Sequence, residues 1–352
     1  MTIFLHIGLH KTASTFLQKC LFPNLDRSRI CYNPPELNSS LRTIFRLSDA
    51  PENLVDYRDT CVSRAQALIK AWESGANGRT LLLSHEGFSQ FDFAQDYDEH
   101  AALLKKIIPN ANIIVFLRFQ PDWLLSLYRQ TVYVGEHQSI SNFLNYRNGE
   151  FNPVNDIYND RGLLQTNALG ADWCLLIDAY ITRYGRDNVH VFFFEDFISN
   201  RRQVIDELCD LLGVVPPGYA QEQVINRGLS ALTIAVLIAR FNILHALGLG
   251  VLLHTVYKER KRYYDKLTES LNDSGTQPIN TMVRVVRSLR RRPKFLTGLP
   301  LLHKLMHPHF YVDWDLLAKH GLRQQLTAHY HERNRRLSAL LSDQRIPAGY
   351  LR

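Results

Sequence analysis

Four short runs of uninterrupted apolar residues constrain this chain more than any other feature: Ile3 to Ile7, Leu81 to Leu83, Ile113 to Leu117 and Val189 to Phe194. Their hydrophobicity is continuous rather than alternating. A strand that reads this way is covered on both faces, which is the condition of a parallel sheet packed between helices. Each run ends in polar residues: His10-Lys11-Thr12, Ser84-His85-Glu86, Arg118, and Glu195-Asp196. Amphipathic stretches lie between the runs, at Ser14 to Leu21, Cys61 to Trp72, Tyr97 to Ile108, Trp173 to Tyr184 and Arg201 to Leu212. Strand–helix alternation of this kind predicts a three-layer α/β fold. Ligands of such sheets gather at the carboxyl ends of the strands, where the polar endings would cluster.

The chain has 352 residues, of which 45% are hydrophobic and 21% charged. That is ample for a packed core and excludes disorder over most of the length. The expected organisation is an α/β core over 1–230 followed by a mainly helical extension over 231–352. Residues 22–60, with Pro23, Pro34, Pro35 and Pro51, read as a long loop or lid with short helices. Residues 135–170, rich in Asn, Gly and Asp, read as an irregular insertion. Five cysteines without a CxxC pair support neither a disulfide framework nor a thiolate zinc site, and fit a reducing compartment. The amino terminus lacks a basic n-region and a long apolar h-region, so the expected location is cytoplasmic.

The segment His6-Ile7-Gly8-Leu9-His10-Lys11-Thr12-Ala13-Ser14-Thr15 follows a strand and precedes a helix. A loop so placed aims backbone N–H groups at an anion. Lys11 adds a point charge, Thr12, Ser14 and Thr15 add hydroxyls, and Gly8 and Ala13 leave room for close approach. The pattern is not a Walker A sequence, because the lysine comes early and Ala13 stands where a glycine would. The third run ends in arginine rather than a Walker B aspartate, which disfavours a magnesium-dependent nucleoside triphosphate site. A capped turn with an incidental lysine is the structural alternative.

HIGLHKTAST resembles the 5′-phosphosulfate loop of the sulfotransferases that use 3′-phosphoadenosine 5′-phosphosulfate (PAPS), in their bacterial form. The resemblance implies a P-loop-like fold and a PAPS donor bound without metal. In it Lys11 touches the bridging oxygen, while His10, Thr12, Ala13, Ser14 and Thr15 surround the 5′-phosphate. A second element, Ile113 to Arg118 followed by Pro121-Asp122-Trp123 and Ser126, resembles the family's 3′-phosphate motif, an arginine with a serine eight positions later. Arg118 and Ser126 match that spacing; pairing of Arg118 with Asp122 is the alternative. Arg129 is a weaker candidate, and Arg227 within Asn226-Arg227-Gly228 is a further 3′-phosphate candidate. The resemblance covers about residues 1–230, with an echo at Asn334-Arg335-Arg336-Leu337.

Sulfuryl transfer to a hydroxyl benefits from a base near the acceptor. Glu86 is the first choice, His85 the second and His10 the third; Glu86 could instead pair with Lys11 and orient it. Glu195 reads as structural. The expected acceptor is a hydroxyl or amine, with a glycan or lipid-linked sugar preferred. A small-molecule kinase with a degenerate loop and a non-catalytic nucleotide- or polyanion-binding protein stay open as alternatives. The net charge of +7 suits anionic partners. The basic stretch Arg284 to Lys294 lacks the aromatic interleaving of a nucleic-acid surface, so no nucleic acid is expected. The apolar stretch Leu229 to Leu253, followed by Lys258, Arg260, Lys261 and Arg262, admits either a packed helix pair or peripheral contact with a membrane. His303, His307 and His309 lack a completing ligand, so no metal site is expected.

Overall fold

The computed structural model describes residues 2–46, 55–75, 78–89, 96–133, 135–154, 159, 163–218, 228–247 and 312–351. Arg227, the Arg284–Lys294 cluster, the Lys258–Arg262 stretch and the three histidines after residue 300 lie outside the described residues. The chain packs as two compact units. The first is drawn from residues 1–123, 169–226 and 324–352, the second from the described residues within 124–168 and 227–323.

The first unit is built on β1 (Ile3–His6), β2 (Ile30–Tyr32), β3 (Thr80–Ser84), β4 (Asn112–Leu117) and, after the short hairpin β5–β6 of the second unit, β7 (Val189–Phe193). They form one five-stranded parallel sheet in the order β2-β3-β1-β4-β7. All four apolar runs form strands within one residue of their expected ends, and β7 stops at Phe193 because Phe194 opens a helix. The continuous burial of β1 and β4 shows why their sequences do not alternate: both faces are covered.

One face is packed by the helical segment after β1, which begins as α1 (Ser14–Phe16) and continues as a π-helical turn over Leu17–Leu21. Together with α9 (Arg201–Leu212) it buries Phe4, Leu82, Ile114 and Phe116 under Phe16, Leu21, Ile205, Leu208 and Leu212. Each such side chain contributes roughly 1.5–3 kcal/mol on burial. Elsewhere α4 (Tyr97–Ile107) packs on α7 (Trp173–Tyr184), and α7 on β4 and β7. The start of α7 is fixed by Asp172, whose carboxylate accepts from the N–H groups of Cys174 and Leu175, and Gly185 ends it at φ 87°.

Residues 22–60 differ from the expected lid. Residues 30–32 form the edge strand β2, α2 runs over Pro35–Arg46, and α3 over Val55–Gly75 is longer than its periodic middle suggested. A three-residue edge strand is too short to show a period, and Pro35 suits the first position of a helix. The outer turns of α3 are polar and solvent-facing, so they carry no apolar repeat. The described part of 135–170 holds the single turn α6 (Ile140–Phe143) and the hairpin β5 (Tyr146–Arg147) and β6 (Glu150–Phe151).

Because the strands are parallel, His6, Ser84, Leu117 and Phe193 all end on one edge of the sheet. From β1 the chain builds β2 and β3 on one side; β4 and β7 then lie on the other. The loops leaving β1, β3 and β4 therefore lie at the carboxyl edge, the end at which open α/β sheets hold ligands.

Candidate active site at the carboxyl edge of the sheet

The loop after β1 turns twice through left-handed backbone, at Lys11 (φ 65°) and Ala13 (φ 69°). It is tied from within: the hydroxyls of Thr12 and Ser14 donate to the carbonyl of Leu9 at 2.7 and 3.1 Å. Both residues are buried, so their first task is to shape the loop. Thr15 is half-buried at the start of α1. Gly8 has no room for a side chain, since a Cβ there would stand 2.5 Å from Ser14 Oγ and 2.8 Å from His6 Cε1. Gly8→Ala should therefore lower stability by about 1–3 kcal/mol as the loop is pushed off β1. Thermal denaturation checks this, and an unchanged midpoint would show that the loop relaxes freely.

Arg118 follows β4 and meets this loop directly. Its Nη1 donates to the carbonyl of Lys11 at 3.2 Å, and its guanidinium lies 4.4 Å from the ring centre of Phe194. The arginine and the lysine therefore stand on the same edge. Burial holds the Lys11 ammonium below the usual lysine range, Glu86 pulls it back up, and Arg118 pushes it further down. The order of those effects places Lys11, Glu86 and Arg118 within electrostatic reach of one another.

The turn that carries Arg118 is held at several points. Trp173 Nε1 donates to the Arg118 carbonyl at 2.7 Å. The Phe119 N–H donates to Glu195 Oε1 at 2.9 Å, and the Tyr350 hydroxyl donates to Glu195 Oε2 at 3.3 Å. Burial raises the Glu195 carboxyl above the ordinary glutamate range, while these bonds oppose the rise. Glu195, in α8 (Phe194–Ser199), is thus structural, as expected: it braces the turn that follows β4. Gln120, which opens α5 (Gln120–Tyr133), exchanges two amide hydrogen bonds with Asn334 of α11 (Leu322–Leu340), at 2.6 and 3.1 Å. Sequence reasoning noted Asn334 without a role; its partner lies 214 positions away and leaves no local signal.

His85 and Glu86 follow β3. Glu86 opens a single 3₁₀ turn over Glu86–Phe88, capped by His85, whose Nδ1 accepts from the Gly87 N–H at 3.0 Å. His10 Nε2 lies 3.9 Å from Glu86 Oε2, with side-chain exposures of 20% and 31%. Both are open enough for an acceptor to reach. Burial lowers the His10 pKa, Glu86 opposes this and Lys11 adds to it. His10 is anchored through its carbonyl, which accepts from Trp123 Nε1 at 2.9 Å.

Ser126 is half-buried on α5, in the part of that helix belonging to the second unit. Arg129, in the same unit, makes a paired contact to Asp313 at 2.8 and 3.0 Å. The Asp313 carboxylate also accepts from the N–H of Ala231, which starts α10 (Ala231–Ala246), so Arg129 is engaged in holding that unit together. Among the described residues no group of three or more His, Cys, Asp or Glu side chains is placed to hold a metal ion. Among them, too, no helix is long and apolar enough to cross a membrane.

Fold and site together define a parallel α/β protein whose carboxyl edge carries a lysine-bearing loop, a strand-end arginine and a partly exposed carboxylate. No family model matches the chain, and no curated protein matches it. Solved structures similar to it include two sulfotransferases. One is the crystal structure of a sulfotransferase from Alicyclobacillus acidocaldarius, with TM-score 0.43 and 19% identity, covering 74% of this chain and 99% of that one. The other is the sulfotransferase domain from the Synechococcus PCC 7002 olefin synthase, with TM-score 0.31 and 15% identity, covering 60% of this chain and 73% of that one.

Proposed function

We propose that this chain is a sulfotransferase that moves a sulfuryl group from PAPS to a hydroxyl or amine acceptor, with a glycan or lipid-linked sugar as the preferred acceptor class. The observation that carries the reading is the junction of the two phosphate elements, where Arg118 Nη1 donates to the carbonyl of Lys11. A single loop lysine suits many anions. A loop lysine and a strand-end arginine on one edge suit a ligand with two separated phosphates.

The donor supplies an activated sulfuryl group on its 5′-phosphate. Lys11 would sit at the bridging oxygen and stabilise the charge that grows there as the S–O bond breaks. Backbone N–H groups of the loop would hold the 5′-phosphate. Arg118 offers a planar fork to the 3′-phosphate. Glu86 would take the acceptor proton as the new S–O bond forms. It is favoured over His85, whose Nδ1 is occupied by the Gly87 N–H. No step calls for a metal.

Glu86→Gln should lower kcat by roughly 10²–10⁴ while leaving donor affinity intact, the range expected for a lost general base. Steady-state kinetics with PAPS and isothermal titration with adenosine 3′,5′-bisphosphate check both halves. An unchanged kcat would move the role to His10 or His85. The broader test is thermal shift. Adenosine 3′,5′-bisphosphate at a hundredfold excess over its Kd should stabilise the protein by about 2.7 kcal/mol. Stabilisation by ATP with magnesium instead would make the chain a kinase. Binding without transfer of labelled sulfate to any acceptor would leave it a non-catalytic nucleotide-binding protein.

A further inference from the structure

Beneath the phosphate loop lies a fully buried histidine that the mechanism above does not use. His6 ends β1, and its ring packs edge-on against Phe22 and Phe116. Its Nδ1 is 2.7 Å from the hydroxyl of Ser84, the last residue of β3. Gln18 Nε2 donates to that same oxygen at 3.0 Å. An amide N–H only donates, so the Ser84 oxygen accepts from Gln18. Its hydrogen can then turn to His6 Nδ1, an arrangement that puts the ring hydrogen on Nε2. Burial keeps the ring neutral, with its pKa pushed down to about 3.

That Nε2–H is buried and has no hydrogen-bond partner among the described residues. An orphaned interior donor is costly, so a partner that arrives on ligand binding recovers that cost. The geometry shows where one could arrive. A Cβ on Gly8 would lie 3.3 Å from His6 Nε2 and 2.5 Å from Ser14 Oγ. The histidine edge and the Ser14 hydroxyl thus both pack against Gly8, one on each side of the position a side chain would take. Ser14 meanwhile donates to Leu9 O at 3.1 Å, a long bond for a hydroxyl donor.

We propose that His6 is a positioning residue of the phosphate loop. When a phosphate seats on the loop, the Ser14 hydroxyl leaves the Leu9 carbonyl, gives its hydrogen to a phosphate oxygen and brings its own oxygen within reach of the His6 Nε2–H across Gly8. Gln18 and Ser84 set the tautomer that makes this possible. The inference deepens the proposed function and rests on it for the identity of the phosphate.

The test is a double-mutant cycle of His6→Phe and Ser14→Ala, read by isothermal titration with two probes, adenosine 3′,5′-bisphosphate and inorganic pyrophosphate. Each single variant should weaken binding about tenfold, and the double variant by about the same tenfold, because one linked bond is lost. Independent losses, multiplying to about a hundredfold, would overturn the proposal, as would unaltered binding by His6→Phe. Nitrogen-15 NMR of the histidine rings in the unmutated protein gives a second reading that needs no folded His6 variant. His6 should show the Nε2–H tautomer, with that proton moving downfield when either probe binds and staying put in Ser14→Ala. An Nδ1–H tautomer would sink the idea. Binding of pyrophosphate without adenosine 3′,5′-bisphosphate would overturn the PAPS reading while the cycle is still read on pyrophosphate; binding of neither probe would overturn both.

Discussion

Lys11→Ala is expected to reduce turnover of PAPS by roughly 10²–10³, the loss found when one preorganised donor to a developing anion is removed. The basis is position as well as charge. Lys11 sits in left-handed backbone, its carbonyl is engaged by Arg118, and its ammonium is partly desolvated between Glu86 and Arg118. A charge held in such surroundings is worth more to a leaving phosphate than a charge on a solvated side chain. Lys11→Arg should not restore the rate, because a planar fork cannot replace a compact ammonium at a crowded loop. Release of adenosine 3′,5′-bisphosphate from PAPS, followed at saturating donor, measures the change. Full turnover by Lys11→Ala would remove the lysine from the chemistry, and with it the central role given to the loop.

Arg118→Ala is expected to act mainly on affinity. A charge-assisted contact to phosphate is worth about 1.5–3 kcal/mol, so the Kd for adenosine 3′,5′-bisphosphate should rise by roughly 10- to 150-fold. The selectivity should change as well. The unmutated protein should bind adenosine 3′,5′-bisphosphate more tightly than adenosine 5′-monophosphate, and Arg118→Ala should bind the two alike. Titration of both nucleotides separates loss of the 3′-phosphate contact from general loosening of the loop, which would weaken them equally. Equal weakening would mean that Arg118 serves only the Lys11 carbonyl. The fold itself should survive the change. The turn keeps its bonds from Trp173 to the residue 118 carbonyl, from the Phe119 N–H to Glu195 and between Gln120 and Asn334, none of which uses the guanidinium.

Much of the architecture could be read along the chain because its causes are local. A strand covered on both faces must be apolar at every position, so β1, β3, β4 and β7 announce themselves. A loop between such a strand and a helix is short, so His10 to Thr15 are confined to one strand end before any coordinates are known. Register in a parallel sheet does the rest, and the ends of β1, β3 and β4 bring Lys11, Glu86 and Arg118 to one edge. Strand β2 stayed hidden because three edge residues carry no period, and α2 because it follows paired prolines in a stretch that reads as loop.

Composition and order along the chain determined the class of fold, the loop lysine and the arginine that follows β4. Only tertiary structure decided how those groups are held. Glu195 and Tyr350 brace the turn beside Arg118, Asn334 locks Gln120, and Gln18 with Ser84 sets the ring of His6. The physical reason is that a hydrogen bond depends on proximity in space, and closing a chain loop of even two hundred residues costs little more entropy than closing a short one. Residues far apart in sequence can therefore be paired without any mark in the residues between them.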